Sequence, residues 1–480
     1  MITRSRSLVI SLFAVAIAAA PLAAQSPDRS KPPANGPVPS LKVPSIQKQA
    51  LSNGLPVWVV EMHEVPVVDI TVIVKSGAAA DPSGKFGLAS FTAAMLDEGA
   101  GARSALELAD AVDLLGASLS TSSSFDASSA RLHTLATKLD AALPLLADVV
   151  LHPTFPETDL NRLRTERLTS LLQIRDNPSQ LASAAFSRTL YGDQHRYGTG
   201  IMGTEATNKA FTQTDLRQFY TQHYQPQNAH LLVVGDVTAA AIVPKLERAF
   251  GTWKNGAAVP KPTIATAAQP ASRQIYLLDK PGAAQSQIRI GAIGVARSTP
   301  DFFVLDVLNT MLGGSFTSRL NMNLREEHGY SYGAGSSFAM RLAPGPFVAQ
   351  AGVQTDKTVE SLTEFFKELD RIRTPAPEEE VAKARSLEAL SFPGSFETTS
   401  DMAGQLADLV VYNLPESFFN DFVPRIQAVR SADVQRAAAQ YIVPNRVVVI
   451  VTGDLSKIEQ PIKNADIAPV TVLDPANMLR

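Results

Sequence analysis

The chain has 480 residues, no cysteine, 45% hydrophobic and 19% charged residues, and a formal net charge of −3. Without thiols it can form no disulfide, thiolate metal site or cysteine nucleophile, and its small acidic balance gives no basic footprint for nucleic acid. A chain of this length supplies proper hydrophobic cores for about two to four domains.

At the N-terminus, Arg4 and Arg6 precede the apolar run Leu8 to Ala20, which ends in Pro21-Leu22-Ala23-Ala24. This is the pattern of a secretory signal over residues 1–24, cleaved before Gln25, and it predicts export. No later window reaches the roughly 20 apolar residues of a membrane helix, so no membrane span is expected in the mature chain. Residues 25–44 are rich in Pro, Ser and Lys with little to bury, and read as a flexible leader.

Asn53-Gly54 is a turn signal ahead of PVWVVEM, and VVDITVIV follows after Glu64-Val65-Pro66. The two runs predict antiparallel strands. GLASFTAAML, Gly87 to Leu96, reads as a buried helix with small residues. Helical patterns then occupy Ala105 to Leu115, Lys138 to Val150 and Glu157 to Arg175. Strands and helices come in blocks, which is α+β architecture.

A weak internal repeat organises the rest. Asp215-Leu216 through Tyr224, Pro226 and Asn228 leads into HLLVVGDV, and Asp433-Val434 through Tyr441, Pro444 and Asn445 leads into VVVIVTGDL. The two aspartates stand at the same distance from Gly235-Asp236 and Gly453-Asp454. Each copy reads as a helix, a turn and a buried strand. Leu55 to Gly77 and Gln274 to Ile293 are matching strand-rich openings. The expected organisation is two homologous αβ halves, 45–258 and 273–465, a linker at 259–272 within the Ala/Pro/Thr-rich stretch Gly256 to Ser272, and a tail at 466–480.

Over nearly all of its mature length the chain resembles the pitrilysin-type inverted zincin peptidases, the family of insulin-degrading enzyme and mitochondrial processing peptidase. It is most similar to the small bacterial members with two halves. The resemblance rests on the order and spacing of NGLPVWVVE, Gly87-Leu88-Ala89, Met95-Leu96, IRDNP, Phe219-Tyr220, Tyr224-x-Pro226-x-Asn228, GDV and LGGSFTSRLNMNLREEHGYSYG. It implies a clam-shell fold of antiparallel-rich sheets and helices.

An inverted zincin carries His-x-x-Glu-His on the first buried helix, two imidazoles for zinc and a carboxylate to activate its water. By the resemblance, those positions are Ser90, Ala93 and Ala94 here, a downstream glutamate ligand is Gln173, and the acidic position before it is kept as Glu166. Serine, alanine and a neutral amide cannot replace that donor set, so no cofactor is expected in this chain. Glu166 by itself reads as a solvated or salt-bridged helix residue. The seven histidines, His63, His133, His152, His195, His223, His230 and His328, include no pair with metal-ligand spacing on one helix. Gly-x-Ser-x-Gly does not occur, and Ser90 has no His or acidic residue at helical spacing to activate it. Gly313-Gly314 precedes SFTSRL without a Lys-Ser/Thr pair, and reads as a flexible loop before a helix from Ser318 to Glu327.

Arg325 and Tyr332 in LREEHGYSYG are what the resemblance preserves of a catalytic centre. In the family such a pair comes from the second half: the hydroxyl donates to the oxyanion and the guanidinium holds substrate carbonyls. The residues alone favour a surface salt bridge near Glu326 and Glu327 for Arg325 and a packed strand start for Tyr332, and the family pattern reverses that preference. With the resemblance, the expectation is a non-catalytic subunit of a heterodimeric zinc metallopeptidase. It would supply Arg325 and Tyr332 in trans, with zinc held by a homologous His-x-x-Glu-His partner, peptides as substrates, and a bacterial periplasm as compartment. The alternatives are a metal-independent peptide-binding or assembly module using β-addition, and an autonomous hydrolase with an unrecognised site.

Overall fold

In the first half, β1 (Gln47–Ala50) turns through Asn53-Gly54 into β2 (Pro56–Glu61), and β3 (Val67–Val74) follows. Helices α1 (Leu88–Ala94) and α2 (Ala105–Asp113) lead to the hairpin β4 (Ser118–Ser123) and β5 (Ser128–Leu135). Then come α3 (Leu139–Leu151), α4 (Glu157–Asp176), α5 (Pro178–Tyr191), α6 (Gln213–His223), β6 (Ala229–Gly235) and α7 (Ala239–Phe250). The computed structural model describes residues 43–479; the expected signal and nearly all of the leader lie outside them. No helix among the described residues is long and apolar enough to cross a membrane.

The second half repeats the scheme: β7 (Gln274–Asp279), β8 (Gln285–Ile293), α8 (Phe302–Asn309), then β9 (Ser331–Phe338) and β10 (Pro346–Gln354). Helices α9 (Thr358–Arg371), α10 (Glu378–Ser391), α11 (Thr399–Val411), α12 (Phe418–Ala428) and α13 (Ser431–Tyr441) precede β11 (Val448–Gly453), α14 (Leu455–Asn464) and β12 (Val470–Leu473).

The two sheets run β1-β2-β6-β3-β5-β4 and β9-β10-β8-β11-β7-β12. Reversing the second aligns β2-β6-β3-β5-β4 with β7-β11-β8-β10-β9, including the one parallel pair, β2 with β6 and β7 with β11. The repeat seen in the sequence is thus five strands deep. Its repeated aspartates have a local cause: Asp215 and Asp433 are each the third residue of their helix, α6 and α13, and their carboxylates accept from the backbone N–H of Thr212 and Arg430, with Thr212 Oγ1 completing a capping box in the first copy. Only the sixth strand differs. β1 pairs antiparallel with β2, whereas β12 pairs parallel with β7.

Two expectations need correction, and the stretch expected to link the halves is held by specific bonds. β2 and β3 do run antiparallel, but β6, the last strand of the first half, lies between them and pairs with both. The stretch 466–480 is more than a tail, since β12 closes the edge of the second sheet. The linker is also pinned: Gly256 N–H donates to Gln225 Oε1 (2.9 Å), His195 Nε2 meets the Ala265 carbonyl (2.8 Å), and Gln269 bonds both backbone groups of Ile293.

The halves clasp each other reciprocally. Helix α5 leaves its own half and packs on β8 and β11 of the second sheet, while α11 packs on the equivalent β3 and β6 of the first. Leu181, Ala182, Ala185 and Phe186 of α5 join Leu278, Ile293, Val448 and Ile450 in one apolar cluster. Met402, Ala403, Leu406 and Val410 of α11 share a cluster with Val60, Leu232 and Val234 of the first sheet. Each clasp has a buried charge at its centre. Asp69 on β3 accepts from Thr399 Oγ1 (2.6 Å), Ser400 Oγ (3.1 Å) and His133 Nδ1 (3.0 Å). Arg289 on β8 donates to Ser179 Oγ (2.7 Å), with burial lowering its pKa to about 10. The two apolar faces hold the halves shut, because opening would expose both to water.

Candidate functional site

Helix α1 is the expected seat of the metal motif, and its surroundings are built around charge of the opposite kind. Asp81 caps it: the carboxylate accepts from Gly87 N–H (2.7 Å) and Ala89 N–H (2.7 Å), satisfying donors the helix leaves free. Gly87 is required, since its φ of +103° is left-handed and a Cβ there would stand 2.4 Å from the Met202 carbonyl oxygen. The Arg196 guanidinium lies 3.0 Å from Asp81, between the rings of Phe86 and Phe125. Burial nevertheless pushes the Asp81 pKa up to about 6, against the pull of Arg196 and the two amides.

Ser90 faces inward, 9% exposed, with its hydroxyl directed at the carbonyls of Ile201 (2.7 Å) and Gly87 (3.1 Å). Ala93 is buried one turn on, and Ala94 is half-buried. Gln173 does not join them. It lies on the exposed side of α4, as does Glu166, which pairs with Arg162 (2.9 Å). The residue of α4 that meets α1 is Arg167. Its Nη2 donates to Ser90 Oγ (2.7 Å) and Met202 O (3.2 Å), its Nε donates to Asn208 Oδ1 (2.8 Å), and its guanidinium lies 4.8 Å from the Phe91 ring centre. Desolvation lowers its pKa to about 10, with the Asp81 charge opposing the shift.

Zinc does not fit this donor set. The inward groups are a hydroxyl, two methyl groups and a guanidinium, and the guanidinium has no lone pair to offer. Two unit charges 4 Å apart interact by about 4 kcal/mol at an effective dielectric near 20, so a divalent ion beside Arg167 would meet about twice that repulsion. Among the described residues no group of three or more His, Asp or Glu side chains could hold a metal elsewhere. His223 and His230, both with pKa lowered to about 4 by burial, serve packing, and His63 pairs at the surface with Asp236 (2.8 Å).

Arg325 and Tyr332 lie in the second half and are arranged in the opposite sense. Tyr332 is the second residue of β9 and is 85% exposed, and the Arg325 guanidinium lies 4.9 Å from its ring centre and 4.8 Å from that of Phe316, which is 60% exposed. Arg325 Nε also pairs with Glu326 (3.0 Å). The surface salt bridge and the strand-start tyrosine both occur, yet the tyrosine does not pack: it is displayed. Behind it, Thr310–Gly314 continues α8 as a wide helical turn in place of the expected flexible loop. Gly313 is there for contact, because a Cβ would come 2.2 Å from the Ser336 amide of β9. Met322–Glu327 is a second wide turn, anchored by buried Arg319 with a two-pronged ion pair to Glu380 (2.6 and 2.7 Å). Within the chain α1 packs on α6, β4 and β5, all of the first half, so Ser90 and Tyr332 belong to separate surroundings.

The spacing argument missed Arg167, Asp81 and Arg196. A signal for the first was present: Leu160, Leu163, Arg167, Leu171 and Ile174 recur every three to four residues, and an arginine on that apolar stripe must be turned inward.

Comparison with known proteins bears on the family and the fold. Residues 57–205 match the family described as insulinase, peptidase family M16, and residues 210–388 match the one described as peptidase M16 inactive domain. An uncharacterized zinc protease of Rickettsia bellii is 26% identical over 337 residues, 70% of this chain and 80% of that protein. Another from Streptomyces coelicolor is 24% identical over 86% of this chain and 90% of its own. Among solved structures, a peptidase M16 inactive domain from Pseudomonas fluorescens is similar with a TM-score of 0.79 and 27% identity, over 85% of this chain and 98% of that one. A protease from Helicobacter pylori shares the fold with a TM-score of 0.80 at 24% identity, over 85% and 100%. The chain belongs to the pitrilysin-type, or M16, peptidase family.

Proposed function

We propose that this protein is the non-catalytic subunit of an exported, heterodimeric zinc metallopeptidase. Its partner would be a homologous chain carrying His-x-x-Glu-His, and the compartment a bacterial periplasm. The observation that carries the reading is the Phe316–Arg325–Tyr332 cluster, a guanidinium 4.8 and 4.9 Å from the centres of two exposed rings. Two largely exposed aromatic side chains bury little within the chain, whereas a phenol hydroxyl beside a guanidinium suits an oxyanion presented from outside. The reciprocal clasp adds a second support. The halves are closed on each other, so a peptide-sized chamber needs a wall from another chain. Arg325 would hold substrate carbonyls and Tyr332 would donate to the tetrahedral oxyanion at the partner's metal.

The test is to purify the tagged chain from its host and assay what accompanies it for chelator-sensitive peptide hydrolysis. An equimolar His-x-x-Glu-His protein whose turnover falls with Tyr332→Phe, the complex remaining intact, is the expected result. Unchanged turnover in both Tyr332→Phe and Arg325→Ala complexes defeats the in-trans role. The metal-independent peptide-binding module draws support from β4, whose outer edge ends the first sheet with alternate side chains exposed. It predicts peptide binding by the isolated chain, with no zinc-bearing companion.

A further inference from the structure

We propose that Arg167 is a resident cation that has taken over from a metal ion the task of pinning α1 to α4, and that it bars zinc from the position even when zinc ligands are restored. The inference concerns this chain's own first half and does not rest on the partner reading.

A metal ion bound between two helices is a short, multivalent, positively charged crosslink. Arg167 has the same three attributes. It stems from α4 and reaches the side chain of α1 through Ser90 Oγ at 2.7 Å. It also reaches the segment that follows α5 through the Met202 carbonyl at 3.2 Å and Asn208 Oδ1 at 2.8 Å. Asn208 is fully buried and is itself tied down, its Nδ2 donating to Met202 O and Thr204 O, each at 2.8 Å. Ser90 hands the connection on to the Ile201 carbonyl at 2.7 Å. Every acceptor around the guanidinium is a neutral carbonyl, hydroxyl or amide oxygen, the set that suits a planar fork with fixed N–H directions. The nearest anion, Asp81, is already matched by Arg196 at 3.0 Å, so the pocket has no spare negative charge to recruit a dication. Ser90 is explained by the same network. It is small enough to leave room for the guanidinium and polar enough to bond it, and Phe91 lays its ring alongside at 4.8 Å. The loss of metal ligands and the gain of an inward arginine form one exchange of crosslinks.

Two measurements test it. The first is zinc content and hydrogen exchange of the unaltered chain and of Arg167→Met. The chain should hold no stoichiometric zinc after dialysis from a zinc buffer, and its melting temperature should ignore both zinc and chelator. Arg167→Met should raise amide exchange of residues 87–94 at least tenfold while β11 stays protected, and Arg167→Lys should recover part of the protection. Retained stoichiometric zinc, or unchanged exchange over 87–94, overturns the proposal. The second uses the graft S90H/A93E/A94H with and without R167E. Zinc affinity, read by titration calorimetry, should rise at least tenfold when R167E is added. Equal zinc uptake by the two grafts, including none by either, overturns the barring role.

Discussion

The position around Ser90 and the position around Tyr332 are the two places where catalytic chemistry is expected, and they have diverged in opposite directions. At Ser90 the hydroxyl and the guanidinium that meets it are turned inward and bonded to other parts of the first half. At Tyr332 the polar group is turned outward, with an exposed phenylalanine nearby and the wide turn Thr310–Gly314 behind. The inward groups around Ser90 are engaged in holding the first half together, while the Tyr332 hydroxyl is not. Substitutions at the first position should therefore be read in folding, and substitutions at the second in the activity of whatever the chain assembles with.

The largest effect should come from the inward side. Asp81→Ala removes the cap of α1 and strands the buried Arg196 guanidinium, and breaking such a pair from one side costs about 3–5 kcal/mol. Denaturant unfolding should show the midpoint falling steeply; a change below about 1 kcal/mol would mean that Asp81 is held neutral and contributes little. On the outward side, Tyr332→Phe should leave unfolding unchanged within about 0.5 kcal/mol, as for other exposed substitutions. The same change should cut the turnover of the assembled peptidase about 100-fold, the usual loss for one oxyanion donor. A Tyr332→Phe chain that is destabilised instead would erase the contrast between the two positions.

Gly313→Ala probes the support between those extremes. Its Cβ would stand 2.2 Å from the Ser336 amide, so either β9 or the wide turn at Thr310–Gly314 must move. Overpacking of this kind costs about 1–3 kcal/mol. Because Tyr332 is the second residue of β9, the variant should lose both stability and turnover, a combination that neither Asp81→Ala nor Tyr332→Phe gives. Loss of stability with full turnover would show that the exact placement of the phenol is unimportant.

How much of this the sequence carried depended on the range of the interaction involved. The repeat was legible because its markers are local: Asp215 and Asp433 bond the backbone three residues back, and Gly235 and Gly453 end the strands that follow. The clasp was not, since the apolar face Leu181, Ala182, Ala185, Phe186 says that α5 is covered without saying by which sheet. Even β2 and β3 were given the correct relative direction while β6, from more than a hundred residues later, was absent from between them. At the metal position, spacing counted from the family pattern pointed to Gln173, which lies on the exposed side of α4, while Glu166 is the salt-bridged surface residue that its own reading gave. One residue is about 100° of helix rotation, enough to turn Glu166 outward and Arg167 inward. The apolar stripe of α4 recorded the correct phase, and the family spacing did not. Gly313-Gly314 misled in another way, since glycine marks close approach as readily as freedom.

The smallest effect is one of slope, and it asks whether the inward half still contains a group that responds to pH. His223 ends α6, which packs on α1, and its Nδ1 meets Ser76 Oγ at 3.0 Å in a nearly closed site. Burial lowers its pKa from 6.5 to about 4. As pH falls from 6.5 toward 4, the unfolded chain takes up a proton here that the folded chain refuses, so this contribution to stability is lost on acidification, by at most about 1.4 kcal/mol per pH unit. His230, lowered to about 4, acts in the same direction. Asp81, raised to about 6, and Asp306, raised to about 7, act in the other: their folded forms keep a proton that the unfolded chain releases, and their contribution is lost as pH rises. The total profile is therefore a partial cancellation, and the informative quantity is the difference between the parent chain and His223→Gln. From pH 6.5 to pH 5 the variant should lose about 2 kcal/mol less unfolding free energy than the parent. Parallel profiles would mean that His223 already carries its proton in the folded state, and that the inward half tolerates charge beside α1 wherever it can be bonded.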